Sequence, residues 1–457
     1  MTDHDFDLLT IGAGSGGVAA TRRAGAHGAR AAICEEDRAG GTCVLRGCIP
    51  KKLLVYAAHV SGEIEDAANY GWSIPETRFD WPTLIANKNT ELARLNGIYN
   101  KMLADAGVEL VPGRGRLIDA HTVEIETASG PRRATAETIL IATGGWPSRP
   151  AIPGIEHAIT STEALDLATF PERVVVGGGG YIAVEFCGIF RHLGAQVTEI
   201  IRADHILRGF DEDVREHLEA EMRGQGIDIR AGCTIDGIRP DRNGLVVTCS
   251  DGTDIPADAV LCAMGRVPNT SGIGLEEAGV ELRPNGAVMV DEWSRTTVPN
   301  IYAVGDCTDR VNLTPVAITE GRALVETLYN DNPRTVDYAD IPSAVFSQPP
   351  IGTVGLTEAA ARERYGEVAV YRSAFRPLKA TLSGNQGRTM MKLIVDADTD
   401  RVVGCHMVGD DAAEIIQGVA IALKCDATKA QFDATIGIHP TAAEEFVTMY
   451  QALEAAE

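Results

Sequence analysis

The feature that most constrains this chain is a strand, a glycine-rich turn and a helix, in that order and occurring twice. In the first copy Phe6–Ile11 reads as an apolar strand, Gly12-Ala13-Gly14-Ser15-Gly16-Gly17 as the turn, and residues 18–27 as the helix. A Gly-x-Gly-x-x-Gly string carries little weight alone, but strand before and helix after make it specific. Gly12, Gly14, Gly16 and Gly17 then let backbone N–H groups, Ser15 and the helix N-terminus approach a pyrophosphate. The next strand, residues 31–34, ends at Glu35, where a carboxylate accepts hydrogen bonds from an adenosine ribose diol. In the second copy Arg173-Val174-Val175-Val176 is the strand and Gly178-Gly179-Gly180-Tyr181-Ile182-Ala183 opens a helix through His192. Its second strand, residues 196–201, ends in Arg202, with Arg208 six residues on. An acid at this place suits a free 2′-hydroxyl, whereas an arginine accommodates a 2′-phosphate. The first site therefore reads as one for a dinucleotide without a 2′-phosphate, and the second as one for NADPH.

Two such units in 457 residues require an α/β protein with more than one core. We expect a first dinucleotide domain over residues 1–145 and an NADPH domain over 146–267, joined through Pro147, Pro150 and Pro153. Residues 268–339 should complete the first site. There Ile301-Tyr302-Ala303-Val304-Gly305-Asp306 is a strand ending in an acid, and Thr314-Pro315-Val316-Ala317 starts a helix. Within the first domain, residues 57–106 read as a polar helical stretch, and strands are expected near 121–127 and 138–142. From 340 to 457 the nucleotide signals stop. Residues 391–396 and 402–407 read as a hairpin around Ala397-Asp398-Thr399, and 412–423 as a helix, giving an α+β C-terminal domain. The fold class is two Rossmann-like domains plus that α+β unit.

Between the first turn and that helical stretch lies Gly41-Thr42-Cys43-Val44-Leu45-Arg46-Gly47-Cys48-Ile49-Pro50-Lys51-Lys52. Residues five apart on a regular helix point about 140° away from each other, so Cys43 and Cys48 can meet only if the backbone bends. Gly47 permits the bend, and Pro50 suits the first turn of a helix restarting after it. Arg46, Lys51 and Lys52 favour thiolates. On these residues alone the pair reads as a redox-active disulfide, as two buried thiols, or as half of a zinc site. Zinc would need two further ligands, no second close Cys/His pair occurs in the sequence, and no metal site is expected.

The net charge of −23 argues against nucleic acid or an anionic membrane as partner. No apolar run approaches a membrane span, and no signal peptide is evident, so a cytoplasmic location is expected. There a disulfide is catalytic more often than structural. Two different dinucleotide sites around a cysteine pair imply an electron relay: NADPH supplies hydride, and a flavin accepts it and reduces a disulfide. The first dinucleotide therefore reads as FAD. His439, just before Pro440 and a helix, is a candidate proton donor and acceptor.

Three motifs together, Gly41–Cys48, Gly178-Gly179-Gly180-Tyr181-Ile182-Ala183-Val184-Glu185 and His439-Pro440-Thr441-Ala442-Ala443-Glu444-Glu445, give a chain that resembles the glutathione reductases of the class I pyridine nucleotide-disulfide oxidoreductase family. The resemblance covers essentially the whole chain. It implies that Cys48 faces the flavin and Cys43 attacks glutathione disulfide, with His439 moving protons and Glu444 orienting it. It implies that Lys51 pairs with Glu185 beside the flavin and that Tyr181 covers the nicotinamide pocket. Thr42, Gly115, Thr143, Gly144, Asp306 and Thr314 would complete the FAD site, and Gly265 the NADPH site. Ser15, Arg22, Tyr99 and Arg322 would hold glutathione disulfide, and a homodimer would share each active site between subunits. Position 91 departs from the pattern, being Glu rather than Tyr, as do Cys187 and Cys307, where small or apolar residues are common. Dihydrolipoamide dehydrogenase is the nearest rival, but it carries an acid where Arg202 stands. Mercuric reductase and large thioredoxin reductase need C-terminal thiols, and here the last cysteine is Cys425. A flavin-bound sensor that turns over nothing would not need the second nucleotide site or His439.

Overall fold

The computed structural model describes residues 4–454. Strand Phe6–Ile11 lies at the centre of the N-terminal sheet, parallel to Ala31–Glu35 on one side and to the end of Gly130–Ile141 on the other. Strand Glu109–Pro112 extends the sheet beyond Ala31–Glu35. The long strand Gly130–Ile141 changes partners along its length. Its first half is antiparallel to Thr122–Thr127, and its last three residues also pair with Ile301–Ala303. That last pairing carries Asp306, from far along the chain, to the same sheet edge as Gly12 and Thr143. Ladder residues such as Leu9, Ile33, Ile139, Leu140 and Ile141 are fully buried, as expected for strands covered on both faces.

The NADPH-type unit is a four-stranded parallel sheet in the order Asp228–Arg230, Gln196–Ile200, Arg173–Gly177, Ala259–Cys262. A three-stranded meander, Ile235–Asp241, Gly244–Cys249 and Asp254–Ala257, packs against it. A two-stranded ribbon, Gly145–Pro147 with Arg266–Pro268, forms where the chain leaves for this unit and returns from it. The C-terminal unit is a five-stranded antiparallel sheet whose two central strands, Thr389–Asp396 and Val402–Val408, are buried along their whole length. Lys392, within the first of these, is buried and holds Asp211, Asp213 and Glu358 at 2.6–2.8 Å, tying this sheet to the nucleotide unit.

Three elements depart from the sequence reading. The polar stretch at 57–106 is two helices, Cys48–Ala67 and Trp81–Asp105, separated by a turn at Gly71 (φ +84°) and by extended chain around Pro75. Asp306 lies in a single 3-10 turn after strand Ile301–Ala303 rather than on the strand. The helix after His439 does not start at Pro440: a 3-10 turn spans Ala442–Glu444, and four α-helical residues, Glu445–Thr448, follow it.

Leu54, Val55 and Ala58 of helix Cys48–Ala67 share one core with Ala183, Val184 and Phe186 of helix Tyr181–His192. Positions 51, 54, 55 and 58 fall on one helical face. Burying the apolar part of that face against Tyr181–His192 therefore delivers Lys51 to Glu185. Leu54, Val55 and Val184, all buried, each contribute about 1.5–3 kcal/mol.

Candidate active site

A cavity of about 680 Å³ runs between the first glycine turn, the cysteine segment, the start of Tyr181–His192 and the C-terminal unit. Its lining includes Gly12, Gly14, Ser15, Glu35, Thr42, Cys43, Cys48, Lys51, Gly115, Thr143, Gly144, Tyr181, Ile182, Glu185, Asp306 and Thr314. Gly16 and Gly17, also expected to contact the cofactor, do not line it. They lie behind the turn, where any Cβ on Gly17 would collide with the Gly12 carbonyl. They let helix Ser15–Ala26 sit tight on the strand. Gly12 has φ +101°, and a Cβ there would stand 2.5 Å from the Ala142 carbonyl oxygen.

The cavity fits an elongated dinucleotide. Glu35 is fixed by the backbone N–H groups of Ala13 (2.8 Å) and Asp37 (3.0 Å), and burial raises its pKa. The Thr143 hydroxyl is buried without a partner, a cost of about 1–3 kcal/mol unless a bound group satisfies it. Asp306 faces the same space, its pKa raised by burial. Its turn is held by Glu320, which accepts hydrogen bonds from the Gly305 N–H (2.7 Å) and the Tyr338 hydroxyl (2.6 Å) and pairs with Arg310 at 3.0 Å.

The cysteine pair sits across a break between two helices, Gly41–Leu45 and Cys48–Ala67. A Cβ on Gly47 would approach the Thr42 carbonyl oxygen to 2.8 Å, so the fold there demands glycine. Both thiols are free in this structure and hydrogen-bond each other, with Cys48 open to the cavity. They differ sharply in acidity. The hydrogen bond from Cys43, against the opposing effect of burial, brings Cys48 down to about 6; the Thr314 hydroxyl and the Lys51 charge act in the same direction. The same bond, together with burial and the Cys48 charge, drives Cys43 upwards. The Thr314 hydroxyl lies 3.7 Å from Cys48 Sγ, and Ser15 hydrogen-bonds Cys43. Cys48 is thus the thiolate of the pair near neutral pH, and Cys43 is its proton-bearing neighbour.

Lys51 Nζ and Glu185 Oε1 are 2.6 Å apart and nearly buried. The same oxygen accepts the Phe346 N–H at 2.9 Å, and the Phe346 ring lies 4.2 Å from Lys51 and 3.7 Å from Lys52. Phe346 was invisible to sequence reasoning: it lies in a segment without a motif, 161 positions from Glu185. Tyr181 also faces the cavity, and desolvation pushes its phenol up to about 12. Arg266 and Trp146 are further lining residues without a sequence signal. Trp146 stacks beneath the Arg46 guanidinium at 4.9 Å.

The second glycine turn lies beside this cavity. Gly178 has φ +125°, any Cβ on it would clash with the Ala263 carbonyl, and Gly180 faces open space. Ala183 is buried in the helix behind the turn, and Gly265 (φ +116°) sits on the adjacent loop. Arg202 and Arg208 are both exposed and, among the described residues, make no hydrogen bond or ion pair. Two unsatisfied guanidinium groups after this strand suit a 2′-phosphate.

Arg22 and Arg322 stand on helices Ser15–Ala26 and Thr314–Tyr329, which meet where a Cβ on Gly321 would come within 2.7 Å of the Gly16 carbonyl oxygen. Neither guanidinium group has a hydrogen bond or ion pair among the described residues. Tyr99 is half-buried, and its pKa is raised by desolvation and then by the charges of Cys43 and Cys48. Glu91 is committed to Arg94 at 2.6 Å. Cys187 and Cys307 are fully buried with raised pKa values, which makes them unreactive. His439 is not in this cavity. Its side chain is 80% exposed, with Nδ1 3.1 Å from a Glu444 carboxylate oxygen. That contact leaves Nε2 pointing away from the carboxylate.

Two nucleotide folds meeting at a cysteine pair define a class, and comparison with known families agrees. The chain belongs to the pyridine nucleotide-disulphide oxidoreductase family: that family's model matches residues 6–321, and its dimerisation-domain model matches residues 341–450. Within it, the chain is 51% identical to the glutathione reductase of Burkholderia cepacia, over 98% of this chain and 99% of the relative. It is also 51% identical to the chloroplastic/mitochondrial glutathione reductase of Pisum sativum, over 98% of this chain and 82% of the relative. The trypanothione reductase of Trypanosoma congolense is 42% identical, over 97% of this chain and 95% of the relative.

Proposed function

We propose that the protein is a homodimeric flavoenzyme that uses NADPH to reduce glutathione disulfide to two molecules of glutathione. The observation that carries this reading is the asymmetric thiol pair, with the acidic Cys48 open to the dinucleotide cavity beside Lys51 and Glu185. FAD, when bound, takes a hydride from NADPH and passes an electron pair to a disulfide. The residues of the chain supply the rest. Lys51, held by Glu185, places a positive charge beside Cys48 and stabilises its thiolate. Tyr181 shields the nicotinamide side of the cavity until NADPH enters, and Arg202 and Arg208 hold the 2′-phosphate. Arg22, Arg322, Ser15 and Tyr99 receive glutathione disulfide, the arginines facing its carboxylates. The partner subunit's His439 takes the proton from Cys43 as it attacks one sulfur of the substrate; the substrate S–S bond breaks as the mixed disulfide forms, and the same histidine returns the proton to the departing glutathione thiolate. Cys48 then attacks Cys43 Sγ, the second glutathione leaves, and the Cys43–Cys48 disulfide is restored. One NADPH and one proton are consumed per disulfide reduced.

The division at residues 145 and 267 is supported by the ribbon that pairs Gly145–Pro147 with Arg266–Pro268 at the two ends of the NADPH unit, and that at 339 by the start of the dimerisation-domain match at residue 341. We place the enzyme in the cytoplasm, where such thiol chemistry belongs; among the described residues no helix is long and apolar enough to cross a membrane. The deciding experiment mixes purified protein with NADPH or NADH and a panel of disulfides, and follows nicotinamide absorbance. Rapid turnover is expected with NADPH and glutathione disulfide, and poor turnover with a cationic polyamine-linked disulfide. Arg22→Ala or Arg322→Ala should raise KM for glutathione disulfide and leave flavin reduction by NADPH unchanged. Preference for lipoamide or the polyamine disulfide would sink the substrate assignment.

A further inference from the structure

The redox pair is not the only pair of neighbouring thiols. Cys233 follows strand Asp228–Arg230, and Cys249 ends strand Gly244–Cys249, opposite Ile235 in the meander. The two sulfurs and a carboxylate oxygen of Asp251 all lie within 4.8 Å of one another. Both thiols are buried while Asp251 is exposed, so the group opens to solvent on its carboxylate side. The Ser250 hydroxyl donates to Cys233 Sγ at 3.7 Å, and the Thr253 N–H fixes one Asp251 oxygen at 2.9 Å. Arg230 is nearby but is committed to Asp228 at 3.0 Å.

We propose that Cys233, Cys249 and Asp251 form a binding site for a soft divalent cation of the zinc or cadmium type. Zinc–thiolate bonds are about 2.3 Å, so two thiolates on one tetrahedral ion stand about 3.8 Å apart, with a carboxylate oxygen closer still. The fold already gathers the three donor atoms to within 4.8 Å of one another, about an ångström from that spacing, and the solvent-facing side leaves the fourth position to water. Binding exchanges two thiol protons for the metal and releases them to solvent. The site is structurally distinct from the redox centre. It adjoins the segment carrying Arg202, since the N–H groups of Gly232 and Cys233 donate to the carbonyls of Ala203 and Ile201 at 3.2 and 3.0 Å. The inference stands whether or not the substrate is glutathione disulfide.

The test titrates inorganic cadmium into FAD-loaded enzyme carrying Cys43→Ser and Cys48→Ser, which removes the redox pair as a competing ligand. One ion per chain should bind, with an ultraviolet thiolate-to-cadmium band, and should slow the alkylation of Cys233 and Cys249 in mild denaturant, where the buried thiols become reachable, as mapped by peptide mass. Adding Cys249→Ser or Cys233→Ser should abolish the band and weaken binding by about tenfold or more. Asp251→Asn should keep the band with weaker binding. Should a cysteine variant misfold, the protection map on the parent decides alone. A band that survives in the Cys249→Ser background overturns the proposal, as does cadmium that leaves the alkylation of Cys233 and Cys249 in mild denaturant as fast in the parent as without the metal.

Discussion

Cys48 owes its acidity first to the hydrogen bond from Cys43 and then, against burial, to Thr314 and Lys51. This ordering makes a spectroscopic prediction. In the two-electron-reduced enzyme a long-wavelength thiolate-to-flavin band should be present at neutral pH and fade as pH falls through about 6, the Cys48 value. Cys43→Ser has no disulfide to reduce and keeps a donor beside Cys48, so with its flavin oxidised the band and its midpoint should persist while disulfide reduction is lost. Cys43→Ala removes the donor and should move the midpoint upwards, and Cys48→Ser should lose both band and activity. Absorbance against pH in the three variants decides it; a band that disappears with Cys43 alone would reverse the assignment. A second residue-scale expectation concerns Arg202 and Arg208. Each charge-assisted contact contributes about 1.5–3 kcal/mol, so neutralising either should cut the preference for NADPH over NADH by about tenfold or more. Steady-state kinetics with both nicotinamides measures this, and equal use of the two by the unmodified enzyme would refute it.

Strand Gln196–Ile200 carries an unexpected element of its own, the buried Glu199. Both carboxyl oxygens lack a well-formed hydrogen bond, the Cys187 thiol gives only weak relief, and burial raises the group from 4.5 to about 8. An unfolded chain ionises this carboxyl freely above pH 4.5, whereas the folded chain keeps it protonated until about pH 8. Its contribution is therefore present in full below pH 4.5 and is lost progressively as pH rises towards 8. The loss runs at about 1.4 kcal/mol per pH unit, or some 4–5 kcal/mol over the whole window. Glu199→Gln should flatten this dependence and raise the melting temperature at pH 8 with little change at pH 5, as read by thermal unfolding of the holoenzyme. An unchanged pH profile would mean that the carboxyl finds a partner on folding. Elements such as this mark the limit of what the sequence discloses. The glycine turns, the bend at Gly47 and the placement of Lys51 follow from local chemistry: each needs a residue type at a fixed offset from a strand or helix end. Phe346 on Glu185 joins positions 161 apart, while the Glu320–Arg310–Tyr338 support of Asp306 and the Cys233–Cys249 contact join neighbouring loops and strands that carry no motif. No periodicity or spacing encodes them. The break between helices Cys48–Ala67 and Trp81–Asp105 is legible in Gly71 and Pro75, and reading residues 57–106 as one helical stretch passes over both.

At the scale of the molecule, one chain holds the thiols in a deep cavity and His439 on its surface, paired with Glu444 and 80% exposed. Beside it Ile436 and Ile438 are 93% and 76% exposed, a large apolar surface for a monomer to leave in water. Residues 341–450 match the family's dimerisation domain. A two-fold dimer buries the same patch on both chains, and we expect it to set each histidine against the other chain's cysteines. The consequence is complementation. A Cys43→Ser homodimer lacks the attacking thiol in both sites, and a His439→Ala homodimer lacks the proton carrier, a loss of about 10²–10⁴-fold. In a hybrid of the two, one site combines both defects, while the other pairs intact thiols from the His439→Ala chain with the intact histidine of the Cys43→Ser chain. Hybrids isolated through two different affinity tags should therefore recover about half the wild-type rate of glutathione disulfide reduction. If thiols and histidine acted within one chain, each site of the hybrid would carry a single defect and the rate would stay at the level of the mixed parents. Salt provides a control on the same sample. Because the chain carries −23 and the substrate is anionic, the recovered rate should depend on ionic strength as the wild type does, since the substrate arginines are unaltered in both parents.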